Sequence, residues 1–191
     1  GLVNFGVRPH AWSRMKTWIR IYLSAAVLLG TLSVWADGFA VEKTKAGVTV
    51  KYDGKLFTRY VIGQSNKPFL WPVIGPSGDE VTRAFPMEKR EGERHDHPHH
   101  RSVWFGHQGT AGFDTWHEPA SGRRTNLGST VHREFVKVKG GDTAVIVTRN
   151  DYVGDGKKLL ADERTHEFRV ENGHRIIDVT IKFTAEHGDC K

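Results

Sequence analysis

The sequence predicts an all-β protein, an antiparallel β-sandwich. Three observations predict it. Beyond residue 47, runs of apolar residues recur with period two, and pairs or triplets of Gly, Asp and Asn separate them. No helical pattern of ordinary length occurs outside the N-terminal segment.

That segment is a matter of export rather than fold. Met15 reads as the start of translation, which leaves residues 1–14 as an upstream extension. Lys16 and Arg20 precede an apolar stretch, and Val34-Trp-Ala36 offers small residues where a signal peptidase cuts. A spanning helix needs about 20 apolar residues, and this stretch is interrupted by Ser24, Gly30, Thr31 and Ser33. Residues 15–36 are therefore expected to be a signal peptide, cut after Ala36, with Ala40 as a second site. The product is secreted or periplasmic, keeps no stable membrane span after processing, and comprises residues 37–191.

Export also changes the charge. The 191 residues carry 28 Lys and Arg against 22 Asp and Glu, a net +6. Arg8, Arg14, Lys16 and Arg20 fall in the first 36 residues with no acid, so removal leaves 24 against 22. A balance of +2 gives no basic footprint for nucleic acid, which is excluded as a partner. Cys190 is the sole cysteine, and one thiol makes no internal disulfide.

The body of the chain then reads element by element. Val48-Thr-Val-Lys-Tyr52 alternates, Asp53-Gly54 supplies a two-residue turn, and Lys55–Ile62 resumes the alternation, which makes a hairpin. Phe69–Ile74 is apolar but holds Pro72, which fits an edge strand or a buried extended segment. Gly75–Asp79 is a turn, Glu88–Arg94 an exposed loop, and Ser102–Phe105 a strand. Gly106–Ser129 is long, glycine-rich and aperiodic, as functional loops often are. Four runs follow: Val131–Lys139, Thr143–Tyr152, Leu160–Val170 and Arg175–Thr184. Short turns at 140–142, 154–156 and 171–173 join them into an antiparallel meander. In the last run Ile177, Val179, Ile181 and Phe183 share one face. The charges of Asp162-Glu-Arg164 and His166-Glu167 are expected on the solvent face. The architecture is jelly-roll-like or shaped like a mutarotase-like supersandwich. The last run has no evident successor, so the domain is expected to be an incomplete fragment.

Function is expected where histidine is dense. Six of the eleven histidines, His95, His97, His99, His100, His107 and His117, lie between 95 and 117. Pro98 disfavours helix, so the segment should be extended, with His95, His97 and His99 on one side. Imidazoles titrate near neutrality and serve as acid, base or metal ligand. His97, His99 and His100 are the candidate acid–base groups, with Arg101 to steady a developing oxyanion. Trp104, Trp116 and His107 would bind substrate, the tryptophans by flat apolar faces beside which Phe105 and Phe113 lie. His97, His99, His107 and Asp114 are the candidate ligands of a divalent metal ion, and Asp96 is a carboxylate that would fix a ring tautomer.

These same residues carry a family resemblance. Lys67–Pro76, Thr82-Arg-Ala-Phe-Pro-Met87, Asp96-His-Pro-His-His-Arg-Ser-Val-Trp-Phe-Gly-His107 and Val131-His-Arg-Glu-Phe135 resemble the secreted bacterial proteins of the PmoA family, often labelled "methane oxygenase PmoA". The likeness runs from about Gly47 to the end. It implies a secreted domain of unknown function that is longer than this chain. The methane oxygenase subunit of that name is an integral membrane protein, which one removable apolar segment cannot build. Family members usually read Gly-Asp-Val-Asn-Gly before Asp-Phe-Trp, where this chain has Gln108–Trp116. The functional expectation is a carbohydrate-active enzyme, or one acting on another small polar substrate, using the histidine-rich site. The alternatives are a non-catalytic carbohydrate-binding module and a metal-dependent oxygenase-type protein.

Overall fold

A computed structural model describes Gly1, residues 37–122 and residues 124–185. The expected signal segment 15–36 and Cys190 lie outside the described residues. Among them nine strands form two antiparallel sheets, each in chain order. The first holds β1 (Phe39–Thr44), β2 (Gly47–Tyr52), β3 (Lys55–Val61), β4 (Phe69–Val73) and β5 (Val103–Trp104). The second holds β6 (Gly128–Lys139), β7 (Ala144–Gly154), β8 (Lys157–Glu171) and β9 (His174–Thr184). No described helix is long and apolar enough to cross a membrane.

The turns follow from their residues. Asp53 and Gly54 adopt φ of 46° and 73° between β2 and β3. Two successive positive φ values match the right-handed twist of a hairpin, and glycine tolerates the second without strain. Asp155-Gly156 and Asn172-Gly173 repeat the pattern at φ 47° and 72°, and 50° and 77°.

The sheets pack face to face into the expected sandwich. Phe39, Val48, Val50, Phe57, Tyr60, Leu70 and Val73 of one sheet meet Ala144, Ile146 and Phe168 of the other. Phe57 sets its edge on Phe168 at 5.7 Å between centroids, and each such buried ring contributes about 1.5–3 kcal/mol. The sheets are tied at one corner, where the Phe39 and Gly141 backbones exchange bonds of 2.7 and 2.9 Å. A Cβ on Gly140 would stand 2.3 Å from the Phe39 carbonyl oxygen, so this closure needs glycine.

Three expectations change. β1 is an additional strand whose Phe39 enters the core. Of the two readings of the 69–74 run, the buried extended segment holds and the edge does not: β4 lies between β3 and β5. Pro72 fits because β5 pairs only with Phe69 and Leu70, leaving the proline no ladder bond to donate. Finally, Asp162, Arg164 and His166 face the interior in step with Leu160 and Phe168, while Glu163 is exposed and Glu167 partly so. Period two alone says which residues share a face, and it does not say which face is inward.

Candidate functional site

The irregular chain between β4 and β6 folds over one end of the sandwich. Within it Thr115 N donates to His107 O (2.9 Å) and Asp114 N to Asn126 O (2.7 Å), Gly128 N of β6 donates to Asp114 O (2.8 Å), and Thr130 N of β6 donates to Asn66 O (2.7 Å) in the segment before β4. One short 3-10 turn, Pro119–Ser121, interrupts it.

The histidine segment is not extended. His97, Pro98, His99 and His100 form a β-turn closed by His100 N donating to His97 O at 2.9 Å. Proline at the second position pre-sets that turn. His97 takes φ 48° and Ser102 φ 62°, both uncommon for residues with a Cβ. Arg83 holds the turn: its guanidinium donates to Asp96 Oδ1 (2.9 Å) and to the carbonyls of Asp96 (2.6 Å) and His97 (2.9 Å). The common side expected for His95, His97 and His99 is therefore lost. His95 leaves the group and stacks on Phe85 at 4.9 Å.

What the turn brings together is a cluster of rings. His97 stacks on His100 at 4.9 Å, and His99 meets His100 and His117 at 4.5 Å each. His100 lies 5.0 Å from Trp104, and Trp104 lies 5.2 Å from Trp116. His99 and His117 are buried, whereas the His97 side chain is 57% exposed. His107 stands apart: its Nδ1 accepts from Gly109 N at 3.1 Å, and it lines a cavity of about 260 Å³ with Phe105, Tyr152 and Phe183. Asp96 bonds His97 Nδ1 at 3.0 Å, as a tautomer-fixing carboxylate would.

Two buried acids support the rings. Asp114 Oδ2 accepts from His117 Nδ1 at 2.8 Å, and its Oδ1 accepts from the backbone N–H groups of Trp116 and His117. Burial would raise this carboxyl, but the bonds to His117 and Trp116 outweigh it and hold it below the usual range. Asp114 thus presents His117 with Nε2 as its lone-pair nitrogen, and Arg124 donates to that atom at 3.2 Å. Glu118 accepts a two-pronged pair from Arg101, 2.7 and 2.7 Å, and a bond from Ser65 Oγ at 2.8 Å. Lys67 lies 3.3 Å from the same carboxylate, its side chain wholly buried, and donates to Trp116 O at 2.7 Å. Burial pulls the Lys67 amine down to about 8 against the opposing pull of Glu118.

The site thereby gains residues with no place in the sequence-based set: Lys67, Glu118, Ser121 and Ser65. Ser121 Oγ receives the Glu118 N–H at 3.1 Å and reaches His99 Nδ1 at 3.0 Å. Burial, followed by the neighbouring His100, His117 and Lys67, lowers His99 to about 4. At neutral pH His99 is an uncharged imidazole. Glu118 was adjacent to His117 in sequence, but nothing local distinguishes it from a surface acid.

Chemically, the cluster offers one imidazole oriented by a carboxylate, a second kept neutral, and two indole faces beside them. Arg101 is committed to Glu118, so its role is to hold that carboxylate in place. The proposed metal quartet is not assembled: Asp114 is turned onto His117, His107 is remote, and no described set of three or more His, Cys, Asp or Glu is grouped to hold a metal ion. Trp104 also lines a cavity of about 460 Å³, and Ser65, Asn66 and Lys67 line one of about 320 Å³. Neither includes His97, His99 or His100 in its wall, so the histidine rings form a packed face beside these hollows.

Residues 47–191 match the model of a family of unknown function (DUF6807). No curated protein and no solved structure matches the chain.

Proposed function

Because the chain belongs to the DUF6807 family of unknown function, its activity must come from its own residues, and we propose an exported protein that acts on carbohydrate by acid–base chemistry. The observation that carries this reading is the contact of His99 with His117, one ring neutral and buried, the other held by Asp114. A ring nitrogen with a lone pair takes a proton from the substrate and then returns that same proton, which suits proton abstraction at a sugar carbon, and the carboxylate-held neighbour keeps the pair in place. Trp104 and Trp116 supply the flat apolar surfaces on which a pyranose ring packs, with His100 beside them. His97, more exposed, is placed to meet substrate first. The likeness to the secreted PmoA proteins supports the same extracytoplasmic setting. In that setting the cut would fall after Ala36, because a cut after Ala40 would take Phe39 out of the core.

The test uses the full chain and a panel of poly- and oligosaccharides, reading both turnover and affinity. His99→Gln and His117→Gln should abolish turnover, and replacement of His97, His99 and His100 together by alanine should do the same without unfolding. Trp104→Ala and Trp116→Ala should weaken glycan affinity. Full turnover in the histidine variants refutes acid–base chemistry here. Affinity that depends on the tryptophans alone, with no turnover in the parent, identifies a carbohydrate-binding module instead.

A further inference from the structure

The cations around the histidine cluster differ in what they are given to hold. Arg83 is spent on Asp96 and on the carbonyls of the turn. Arg101 and Lys67 share Glu118. Asp114 is turned onto His117 and the backbone N–H groups of Trp116 and His117. Arg124 is the exception, because it meets no carboxylate among the described residues. Its guanidinium donates to His117 Nε2 at 3.2 Å. That bond uses one of the five N–H donors of an arginine. Arg124 is exposed while His117 is buried, so the rest of the guanidinium faces whatever approaches the rings from solvent. The same bond occupies the free lone pair of His117, which leaves His99, 4.5 Å away between ring centroids, as the ring that can take a proton.

The chemistry of sugars narrows what that charge is for. A hydrogen on a carbon flanked only by hydroxyl and ether oxygens is far too weakly acidic for an imidazole. It becomes removable when its carbon bears a carboxyl group, onto whose oxygens the electron pair left behind can spread. A cation must then offset the negative charge that builds up on those oxygens. We propose that the site takes uronate residues of acidic glycans, with Arg124 gripping the uronate carboxylate beside the His99–His117 pair. This rests on the acid–base reading of those two rings. The carbon that loses its proton is bonded to the carboxyl carbon, so a carboxylate held on Arg124 brings that hydrogen to the imidazoles. The lone-pair nitrogen of His99 takes the proton. The electron pair of the broken C–H bond forms a C=C bond to the next carbon, and the bond from that carbon to the glycosidic oxygen breaks. The departing oxygen carries away its electron pair and receives the proton back from the imidazolium. Nothing is oxidised or reduced, and the chain is cut into an unsaturated uronate end and a new hydroxyl end. The bound carboxylate also favours the charged form of a nearby imidazole, which strengthens the base at the moment it is needed.

The experiment offers the full chain 1,4-linked oligouronates and the same oligomers with their carboxyl groups reduced to alcohols. Cleavage of the acidic oligomers should raise ultraviolet absorbance, from a C=C bond conjugated with the carboxylate, and the reduced oligomers should not be cut. Arg124→Gln should lower kcat/KM on the acidic oligomers about a hundredfold or more. Arg124→Lys should recover part of the loss, since lysine keeps the charge without the two-pronged fork. The loss of affinity in Arg124→Gln should be confined to the acidic oligomers, and an equal loss on the reduced ones makes Arg124 structural and overturns the proposal. Uronate cleavage indifferent to Arg124→Gln overturns it as well. Turnover of neutral glycans alone, abolished by His99→Gln, overturns the uronate assignment and leaves the acid–base reading standing. Affinity for oligouronates that depends on Arg124, with no turnover of any glycan, refutes the acid–base reading and upholds the carboxylate contact. Neither affinity nor turnover overturns both.

Discussion

Two of the buried ion-paired clusters among the described residues are made differently. One lies on the strands: Asp162 accepts from Asn150 Nδ2 (2.6 Å), Tyr152 Oη (2.8 Å) and Arg164 (2.6 Å), all from β7 and β8. The other lies in the loops: Glu118 joins Arg101, Lys67 and Ser65, from segments up to 53 residues apart. In the first, neighbouring strands would hold the partners together with or without the charges. In the second, the charges are among the few things that hold three irregular segments together. The strand cluster is thus a cost borne by a fold that exists anyway, while the loop cluster is part of what makes its fold.

The largest effect should come from breaking the strand cluster on one side. Arg164 is 2% exposed, and removing it leaves the Asp162 carboxylate buried without its cation. Arg164→Ala should cost about 3–5 kcal/mol in urea unfolding. Replacing both charges with apolar residues of similar size, Asp162→Leu with Arg164→Met, should return most of that stability, because no charge is then left buried. If the double variant is as unstable as the single one, the cluster is not the dispensable one.

Glu118→Gln should cost less, about 2–3 kcal/mol. Its two cations have ways out. The Arg101 side chain is already 14% exposed, and Lys67, drawn down to about 8 even with Glu118 present, can shed its proton when the carboxylate goes. The difference from Arg164→Ala should appear in where the damage falls. Hydrogen exchange should quicken in residues 95–127 while β7 and β8 keep their protection, since only the loop cluster spans separate segments. Uniform loss of protection would erase the distinction between the two clusters.

The contrast also explains what the sequence could disclose. The hairpins at Asp53-Gly54, Asp155-Gly156 and Asn172-Gly173 are local, each written in two adjacent residues and the alternation around them. The inward turn of Asp162 and Arg164 is legible as a period but not as a direction, because the residues that settle it, Tyr60 and Phe57, sit in the other sheet. The candidate site was visible as composition: histidines and tryptophans crowd one stretch, and His97, His99, His100, Trp104, Trp116 and Asp114 do meet or lie one contact apart. Its geometry was not. The turn at Pro98-His99 depends on Arg83, fourteen residues before His97, and the place of Glu118 depends on Lys67 and Ser65. No window of sequence contains those pairs together.

Acidification gives the smallest effect per group and tests both clusters at once, because each keeps one uncharged histidine. His166, beside Arg164, is lowered to about 3 by burial and then by that cation. His99, beside the Glu118 cluster, is lowered to about 4. In the unfolded chain both take up a proton near 6.5, whereas the folded chain refuses it until far lower pH. Their contribution to stability is therefore complete above pH 6.5 and is lost as pH falls from 6.5 toward those two values. Between pH 6.5 and 5 each should cost about 1.5 kcal/mol. His166→Gln should flatten the pH dependence of global unfolding. His99→Gln should flatten the pH dependence of loop opening more than that of the sheets, if the loops open as a unit of their own. An identical response to the two substitutions, read as exchange rates residue by residue, would mean that strands and loops unfold together and that the second cluster secures nothing the first does not.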